Sequence, residues 1–420
     1  MARPQPFLSR YPGIASILRN GSLVAGTQWT EAILRGIYVL VISRWLGPEL
    51  YGAWSYATTS YAFAVGLTLF GLETLVPLRL GRDKNATAFL GTSFLVRLAL
   101  LGLVAVAFAI NALAFEGEAQ TRTAMLLVLP ALIGRGVVYW TRSALLGFDK
   151  SRLAFRFALR LRLFEVAAGL AALWLGAGLG ALLAIHALSW LAEAALTYRA
   201  VTGAAPVPLR LDRAELARVL ADGFVLGLVT IATAFLTAMP LIFLRHLTGD
   251  LATVGQIGVA MQLAALAIMG AQGLLGAALP VVARASTRGD GRLPFYGALV
   301  GLGTVAVFGP AILLAWIWGP ALIPALLGAG FTPAGRLLAP ALVVGALIVL
   351  PGGAWQVLVA EGRRWPGVIA GAAASLALVI LLPGMIRASG AAGALHAASL
   401  AWALNAAILF GWSLVPARRR

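Results

Sequence analysis

The sequence contains no cysteine and only 3 histidines in 420 residues. Without cysteine, the chain has neither disulfide bonds nor thiolate ligands for a metal ion. The histidines, His186, His246 and His396, are far apart along the chain, which is not the spacing of a His-rich metal motif. The sequence therefore gives no reason to expect a metal or any other cofactor.

Charged residues are also scarce, at 11% of the chain, whereas 61% of the residues are hydrophobic and the mean hydropathy is +0.92. Soluble domains are about one quarter charged and about half apolar. From Ser22 onwards, apolar stretches recur that are about 20 residues long, which is enough to cross a bilayer as a helix. We therefore predict an all-α polytopic membrane protein, in which the 48 glycines allow close helix packing.

The apolar segments predict about twelve transmembrane helices. The first twenty residues carry three arginines but no short apolar core with a cleavage site, and we interpret them as a retained cytoplasmic segment. The predicted spans are residues 22–45, 53–78, 89–114, 124–147, 164–179, 181–199, 217–244, 252–280, 294–318, 337–359, 367–386 and 391–415.

The basic residues separate by loop. With these spans, the loops on one side hold 23 lysines and arginines and the loops on the other side hold 5. The positive-inside rule places the basic loops, and both termini, in the cytoplasm. The net charge of +17 is then explained by loops beside anionic lipid, and no aromatic-interleaved basic face suggests nucleic-acid binding.

The two halves of the chain contain related segments. Residues 52–77 align without a gap to residues 255–280 at an offset of 203, and both segments start at a glycine and end at a proline before a basic loop. Parallel repeats of this kind occur in transporters, and we predict two six-helix pseudo-repeats. The predicted domains are a cytoplasmic segment 1–21, an N-terminal bundle 22–203, a linker 204–216, a C-terminal bundle 217–415 and a basic tail 416–420.

Three short stretches resemble a known family. They are LGPELYG at 46–52, LLGFDKSRLAF at 145–155 and LTGDLATVGQIGVAMQL at 247–263. With the topology, they resemble the polysaccharide transporter branch of the MOP (MATE-like) flippase superfamily, which includes the Wzx-type O-antigen and exopolysaccharide flippases. The resemblance implies a V-shaped pair of six-helix bundles that works by alternating access in the bacterial inner membrane.

The resemblance also implies a substrate, an oligosaccharide on an undecaprenyl diphosphate carrier that moves from the inner to the outer leaflet. Other polysaccharide-assembly membrane proteins are then expected partners. Three alternatives stay open: a MATE-type cation-coupled antiporter, a lipid II flippase, and a membrane glycosyltransferase or polysaccharide polymerase. The predicted external loops are short and the longest contains no acid, which makes an enzyme the weaker alternative.

Span one carries the first candidate substrate residues. Gln28, Glu31 and Arg35 lie at i, i+3 and i+7, so they share one helical face. One interpretation places this face on a cavity wall, where Arg35 meets the diphosphate of the substrate. The other is a Glu31–Arg35 ion pair that neutralises itself between helices.

Span four carries Arg135 near its centre and Arg142 two turns later. Guanidinium groups keep their charge and bind phosphate in a bidentate manner, which makes both residues candidates for diphosphate binding. Alternatively, Arg142 reaches the cytoplasmic interface and Arg135 pairs with an acid such as Glu193. Arg97, early in span three, is interpreted as a residue that reaches the interface.

The remaining candidates are polar or acidic. Thr233 and Gln262, on spans seven and eight, would line a sugar-sized passage or else join helices. Glu73, Glu193 and Asp222 are candidates to bind a coupling H⁺ or Na⁺, with ion pairing to an arginine as the alternative.

Overall fold

The computed structural model describes the backbone of residues 12–287 and 293–415. Side chains are described for residues 33–272 and 295–415, apart from 296, 300, 304, 305 and 307. The elements are α1 Pro12–Thr68, α2 Leu72–Arg82, α3 Thr87–Ala114, α4 Ala119–Gly147, α5 Ser151–Trp174, α6 Leu179–Thr202, α7 Arg213–Thr248, α8 Leu251–Thr287, α9 Leu293–Leu327, a 3₁₀ turn Ala329–Phe331, α10 Thr332–Val349, α11 Gly352–Ala360 and α12 Trp365–Leu414.

The helices confirm a polytopic α-helical membrane protein. In the described part of the chain, eight helices are long and apolar enough to cross a bilayer, and nine if α1 from Ile33 and α2 form one bent span. Two of the long helices are broken at predicted turns, α1 at Gly47 (φ 73°) and α12 at Gly390 (φ 58°). Positive φ is accessible to glycine at little cost, so these residues can reverse the chain. The number of twelve spans and the orientation of the termini stay predictions.

The start of α5 differs from the prediction. The predicted fifth span begins at residue 164, whereas α5 begins at Ser151. Arg152, Arg156 and Arg160 are exposed along one face of this helix and Ala158 is buried on another. An amphipathic first half lowers the average hydropathy, which is why hydropathy alone predicts a loop here.

The predicted second span is also interrupted. Phe70 (φ 50°) and Gly71 (φ 71°) separate α1 from α2, and the two helices meet at 46°. Arg97 of α3 is fully buried here, where its guanidinium donates to the Thr68 carbonyl at 2.6 Å and pairs with the Glu73 carboxylate. The interpretation of Arg97 as an interface-reaching residue is therefore wrong. It binds a backbone carbonyl that the helix break leaves without an intrahelical partner.

The second half of α1 crosses α8 at a pair of glycines. A Cβ atom on Gly52 would lie 1.9 Å from the Leu251 carbonyl oxygen, and a Cβ on Gly255 would lie 2.0 Å from the Pro48 carbonyl oxygen. Leu251 follows Pro48 by 203 residues, the same offset that relates the two glycines. Such reciprocal contacts are the geometry expected of two helices related by a two-fold axis, and only glycine allows backbones to approach so closely.

A second contact joins α7 to the N-terminal helices on the predicted external side. Arg245, close to the end of α7, donates to Glu116 at 3.0 Å and to Glu118 at 2.7 Å, in the short connection between α3 and α4. The adjacent His246 Nε2 lies 3.2 Å from the Tyr56 hydroxyl of α1. We call Arg245, Glu116 and Glu118 the external cluster. Because Arg245 is 9% exposed and Glu116 8%, this pairing takes place largely out of water.

The predicted topology can be tested with single cysteines, because the native chain has none. Arg210, in the predicted cytoplasmic linker, and Arg336, on the predicted external side, are both exposed. We expect a membrane-impermeant maleimide to label Arg336→Cys in intact cells and Arg210→Cys only after permeabilisation. The opposite labelling pattern would show that the chain has the opposite orientation in the membrane.

The glycine crossing makes a stability prediction. Gly52→Ala should lower the Tm of the purified protein by several degrees, because the new methyl group meets a carbonyl oxygen and overpacking costs about 1–3 kcal/mol or more. Gly102→Ala is the matched control, since a Cβ there meets nothing within 4 Å. Equal Tm values for the two variants would contradict the close crossing.

Candidate functional site

Four helices of the N-terminal half, α1, α4, α5 and α6, bring a set of polar side chains together within the predicted membrane. At 1.5 Å per residue, Arg35 lies about 18 Å from the turn at Gly47, and Arg135 lies about 24 Å from the start and about 18 Å from the end of α4. Both are thus close to mid-depth if each helix is centred on a hydrocarbon core of about 30 Å. We call the set the N-terminal polar cluster: Arg35, Tyr61, Arg135, Tyr139, Arg142, Arg162, Glu165, His186, Trp190 and Glu193.

Arg35 is an accessible cation on the inner side of α1. Its side chain is exposed, and it interacts electrostatically with Arg135 of α4 and Glu165 of α5. Ile33 and Ile37, which are 57% and 50% exposed, lie about 200° around the helix and face the other way. Within the described residues, Arg35 forms no hydrogen bond or ion pair. It is therefore an exposed charge on the face of α1 that is turned away from Ile33 and Ile37.

Arg135 is held by aromatic side chains. Its guanidinium donates to the Tyr139 hydroxyl at 3.0 Å and to the Tyr61 hydroxyl at 3.3 Å. The rings of Tyr61, Tyr139 and Trp190 have centroids 5.6, 5.5 and 5.2 Å from its central carbon. Hydroxyls and ring faces orient a cation without neutralising it. No carboxylate in the described chain is hydrogen-bonded to Arg135, so its full charge remains.

Arg142, in contrast, is paired. Glu193 of α6 is fully buried, and its carboxylate accepts from Arg142 Nε at 2.8 Å and from Arg162 Nη2 at 3.2 Å. The sequence-based alternatives placed Glu193 opposite Arg135 and Arg142 at the interface, and both are wrong. Paired in this way, Arg142 and Glu193 hold α4 and α6 together, and α5 joins them through Arg162.

A second buried acid extends this network. His186 Nδ1 lies 2.6 Å from Glu165 Oε1, and His186 Nε2 lies 2.7 Å from the Tyr61 hydroxyl. Glu165 also pairs with Arg162, three residues earlier on α5. Reasoning from sequence missed Glu165 as a site residue and counted Arg162 with a loop, because the predicted span began between them at residue 164. The available signal was their i, i+3 spacing.

The other candidates on α1 and α8 are Gln28, Glu31 and Gln262. Gln28 and Glu31 belong to α1, but their side chains lie outside the described residues. Gln262 is one helical turn from Leu266, whose side chain touches Gly36 beside Arg35. The structure therefore places Gln262 at the α1–α8 interface near Arg35, where it forms no hydrogen bond within the described chain.

The remaining three candidates lie apart from the N-terminal polar cluster. Thr233 is exposed on α7 and donates to the Val229 carbonyl of its own helix at 2.9 Å. Glu73 pairs with Arg97 at the α1–α2 break. Asp222 is exposed near the start of α7 and has no ion-pair partner among the described residues.

The charge balance of the N-terminal polar cluster is positive. Its four arginines exceed its two glutamates, which leaves two uncompensated positive charges when His186 is neutral. Both glutamates already pair with cations, so the uncompensated charge falls on Arg35 and Arg135. Surrounded by lipid and packed helices, such a charge attracts an anion.

The fold is that of MOP superfamily transporters. The chain is similar to the lipid II flippase MurJ in an inward closed conformation, with TM-score 0.73, 13% identity and coverage of 92% of this chain and 86% of that one. It is also similar to an inward-facing multidrug resistance MATE family transporter, with TM-score 0.70, 14% identity and coverage of 92% and 93%. A MOP superfamily transporter from Pyrococcus furiosus, described by the reverse polarity of its binding pocket, gives TM-score 0.64, 15% identity and coverage of 95% and 94%.

The family is shown by sequence. The model of the family described as "Polysaccharide biosynthesis protein" matches residues 17–286, which is more than half of the chain. The chain belongs to this polysaccharide biosynthesis family, and its fold is that of the MOP superfamily transporters to which it is similar. The resemblance carried by LGPELYG and the two other stretches is thereby confirmed. No curated protein sequence matches the chain.

The pairing of Glu193 leads to a prediction. Glu193→Gln leaves Arg142 and Arg162 without this carboxylate, and removing one partner of a buried ion pair costs about 3–5 kcal/mol. We expect a Tm in detergent at least several degrees below that of the wild type. Asp222→Asn, at the exposed acid, should leave the Tm unchanged. Similar Tm values for the two variants would show that Glu193 has no structural role.

Proposed function

We propose that this protein flips an undecaprenyl-diphosphate-linked oligosaccharide, an O-antigen or exopolysaccharide repeat unit, from the inner to the outer leaflet of the bacterial cytoplasmic membrane. One observation carries the proposal: Arg35 and Arg135 lie at mid-membrane depth in a positive cluster, and neither is bonded to a carboxylate among the described residues. The match to a polysaccharide biosynthesis family supports this class of substrate.

The two arginines fit a diphosphate for different reasons. Arg35 is exposed and free to turn towards a ligand, whereas Arg135 is fixed by Tyr61 and Tyr139. A guanidinium presents parallel N–H donors that match two phosphate oxygens, and it keeps its proton inside a membrane. A mobile arginine and a fixed one can therefore grip neighbouring phosphates of one headgroup.

The glycan and the lipid tail need separate environments. In the proposed cycle, Gln262 and Thr233 contribute to the polar passage for the sugars, and the polyprenyl tail stays in the bilayer through a lateral gap. The halves 22–203 and 217–415, joined by the linker 204–216, rock against each other. The reciprocal contact of Gly52 and Gly255 supports such a division.

The coupling ion belongs to the same proposal. Of the three candidate acids, Glu73 and Glu193 already pair with arginines, and Asp222 alone has no ion-pair partner among the described residues. A MATE-type cation antiporter would need free carboxylates in its cavity, and both acids of the N-terminal polar cluster are occupied. This favours an anionic substrate, whether the cycle is driven by H⁺ or Na⁺.

The experiment that tests the proposal measures the sidedness of the glycolipid. In a deletion strain without a redundant flippase, outer-leaflet lipid-linked glycan should be lost, and the wild-type gene should restore it. Arg35→Ala and Arg135→Ala should each reduce the rate about tenfold or more, because a charge-assisted hydrogen bond contributes about 1.5–3 kcal/mol. Arg336→Ala, at an exposed arginine outside the N-terminal polar cluster, is the charge-matched control.

Two outcomes would contradict the proposal. Unchanged outer-leaflet glycan in the deletion strain would show that the protein does not have this function. Full activity of both alanine variants at normal expression would show that Arg35 and Arg135 do not form the site. A lipid II flippase shares the diphosphate, so lipid II sidedness is measured in the same strains. A change in lipid II without a change in the oligosaccharide would assign the protein to that substrate.

A further inference from the structure

His186 connects the proposed anion site to a buried acid. Its Nε2 atom lies 2.7 Å from the Tyr61 hydroxyl, which accepts from Arg135 at 3.3 Å, and its Nδ1 atom lies 2.6 Å from Glu165. A continuous chain of hydrogen bonds thus runs from Arg135 to Glu165 through two side chains of different helices. The inference drawn from this chain rests on the anion site of the proposed function.

The hydrogen atoms of this chain can be assigned from its donors. Arg162 donates to Glu165, which favours an ionised carboxylate, so the Nδ1 atom of His186 carries a hydrogen and donates to it. When His186 is neutral, Tyr61 donates its hydroxyl hydrogen to Nε2 and accepts from Arg135. Every polar atom of the chain then has a compatible partner.

A proton on His186 changes this arrangement. Nε2 then becomes a donor, so two cations, His186 and Arg135, point at the single Tyr61 oxygen. The hydroxyl hydrogen of Tyr61 also has to turn away. Without an anion, the additional positive charge is opposed by the neighbouring arginines, whereas an anion bound to Arg35 and Arg135 offsets it.

The charged and titratable groups around His186 come from four helices. On α1 they are Tyr61, Arg35 and Tyr38, on α4 Arg135, on α5 Glu165 and Arg162, and on α6 Glu193. The rings of Trp54 and Trp190 cover the imidazole at centroid distances of 5.7 and 6.3 Å. His186 is 9% exposed, so water screens these charges weakly.

We propose that His186 is a proton-binding site linked to the anion site, so that a diphosphate bound at Arg35 and Arg135 brings one proton onto His186 Nε2. The ligand class is a diphosphate anion, and the proton is its counter-charge inside the membrane. Tyr61 is a positioning residue, since its hydroxyl joins the imidazole to Arg135. By reciprocity, protonation of His186 also tightens anion binding.

The test uses inorganic pyrophosphate and the full-length purified chain. Isothermal titration calorimetry in two buffers of different ionisation enthalpy, at one pH near neutrality, counts the protons taken up per pyrophosphate bound. His186→Gln retains one donor and one acceptor but has no titrating proton. Subtracting the uptake of this variant from that of the wild type cancels the protonation of pyrophosphate itself. We expect a difference of up to one proton. Between a pH above and a pH below the titration of His186, the affinity for pyrophosphate should rise about tenfold more in the wild type than in His186→Gln.

A second variant guards against a folding defect. Tyr61→Phe removes the bridging hydroxyl and leaves Arg135 bonded to Tyr139, so it should bind pyrophosphate with reduced proton uptake. Pyrophosphate binding with equal proton uptake by the wild type and both variants would overturn the inference while leaving the anion site intact. Failure of the wild type to bind pyrophosphate would remove the proposed anion site, and this inference with it.

Discussion

A charge inside a bilayer has to be compensated by a partner, and this constraint organises the N-terminal half of the protein. Glu193 lies between two arginines, Glu165 between an arginine and a histidine, and Arg97 meets both an acid and a broken helix end. Apart from the Glu165–Arg162 pair within α5, each of these contacts joins different helices and so also fixes how the helices pack. With those charges compensated, Arg35 and Arg135 stand out, because neither is paired with a carboxylate among the residues whose side chains are described.

The helix interfaces are of two kinds. Within the N-terminal half, α4, α5 and α6 are joined by buried ion pairs, which require exact geometry and hold the helices in one arrangement. Between α1 and α8, the closest approach is made by glycines and backbone carbonyls, and side chains such as Leu266 pack elsewhere between the two helices. Ion pairs within one half, and a contact between α1 and α8 without ion pairs among the described side chains, suit the proposed movement of the two halves.

Hydropathy and loop charge predicted the polytopic helical fold, because length and apolar composition alone determine whether a helix can cross a membrane. The predicted span boundaries also placed Arg35 and Arg135 near the middle of the membrane. The charge pairings could not be predicted, because the partner of Glu193 depends on how α4 and α6 rotate against each other, and a one-dimensional pattern does not contain that rotation.

The sequence pattern does not show the beginning of α5 for a related reason, since exposed arginines on one face of the helix mask the buried alanines on the other. The helix break at Phe70 and Gly71 contains one glycine, which is too weak a signal in a chain with 48 glycines.

The glycine crossing bears on how fast the predicted external side can open. Gly52 and Gly255 carry no side chains, so separating these two residues requires no change of rotamer of their own. The barrier to separation is then concentrated in the external cluster, where Arg245 must leave two carboxylates. In the proposed cycle, the ion pairs of Arg245 would therefore add more to the barrier to opening than the contact of the two glycines.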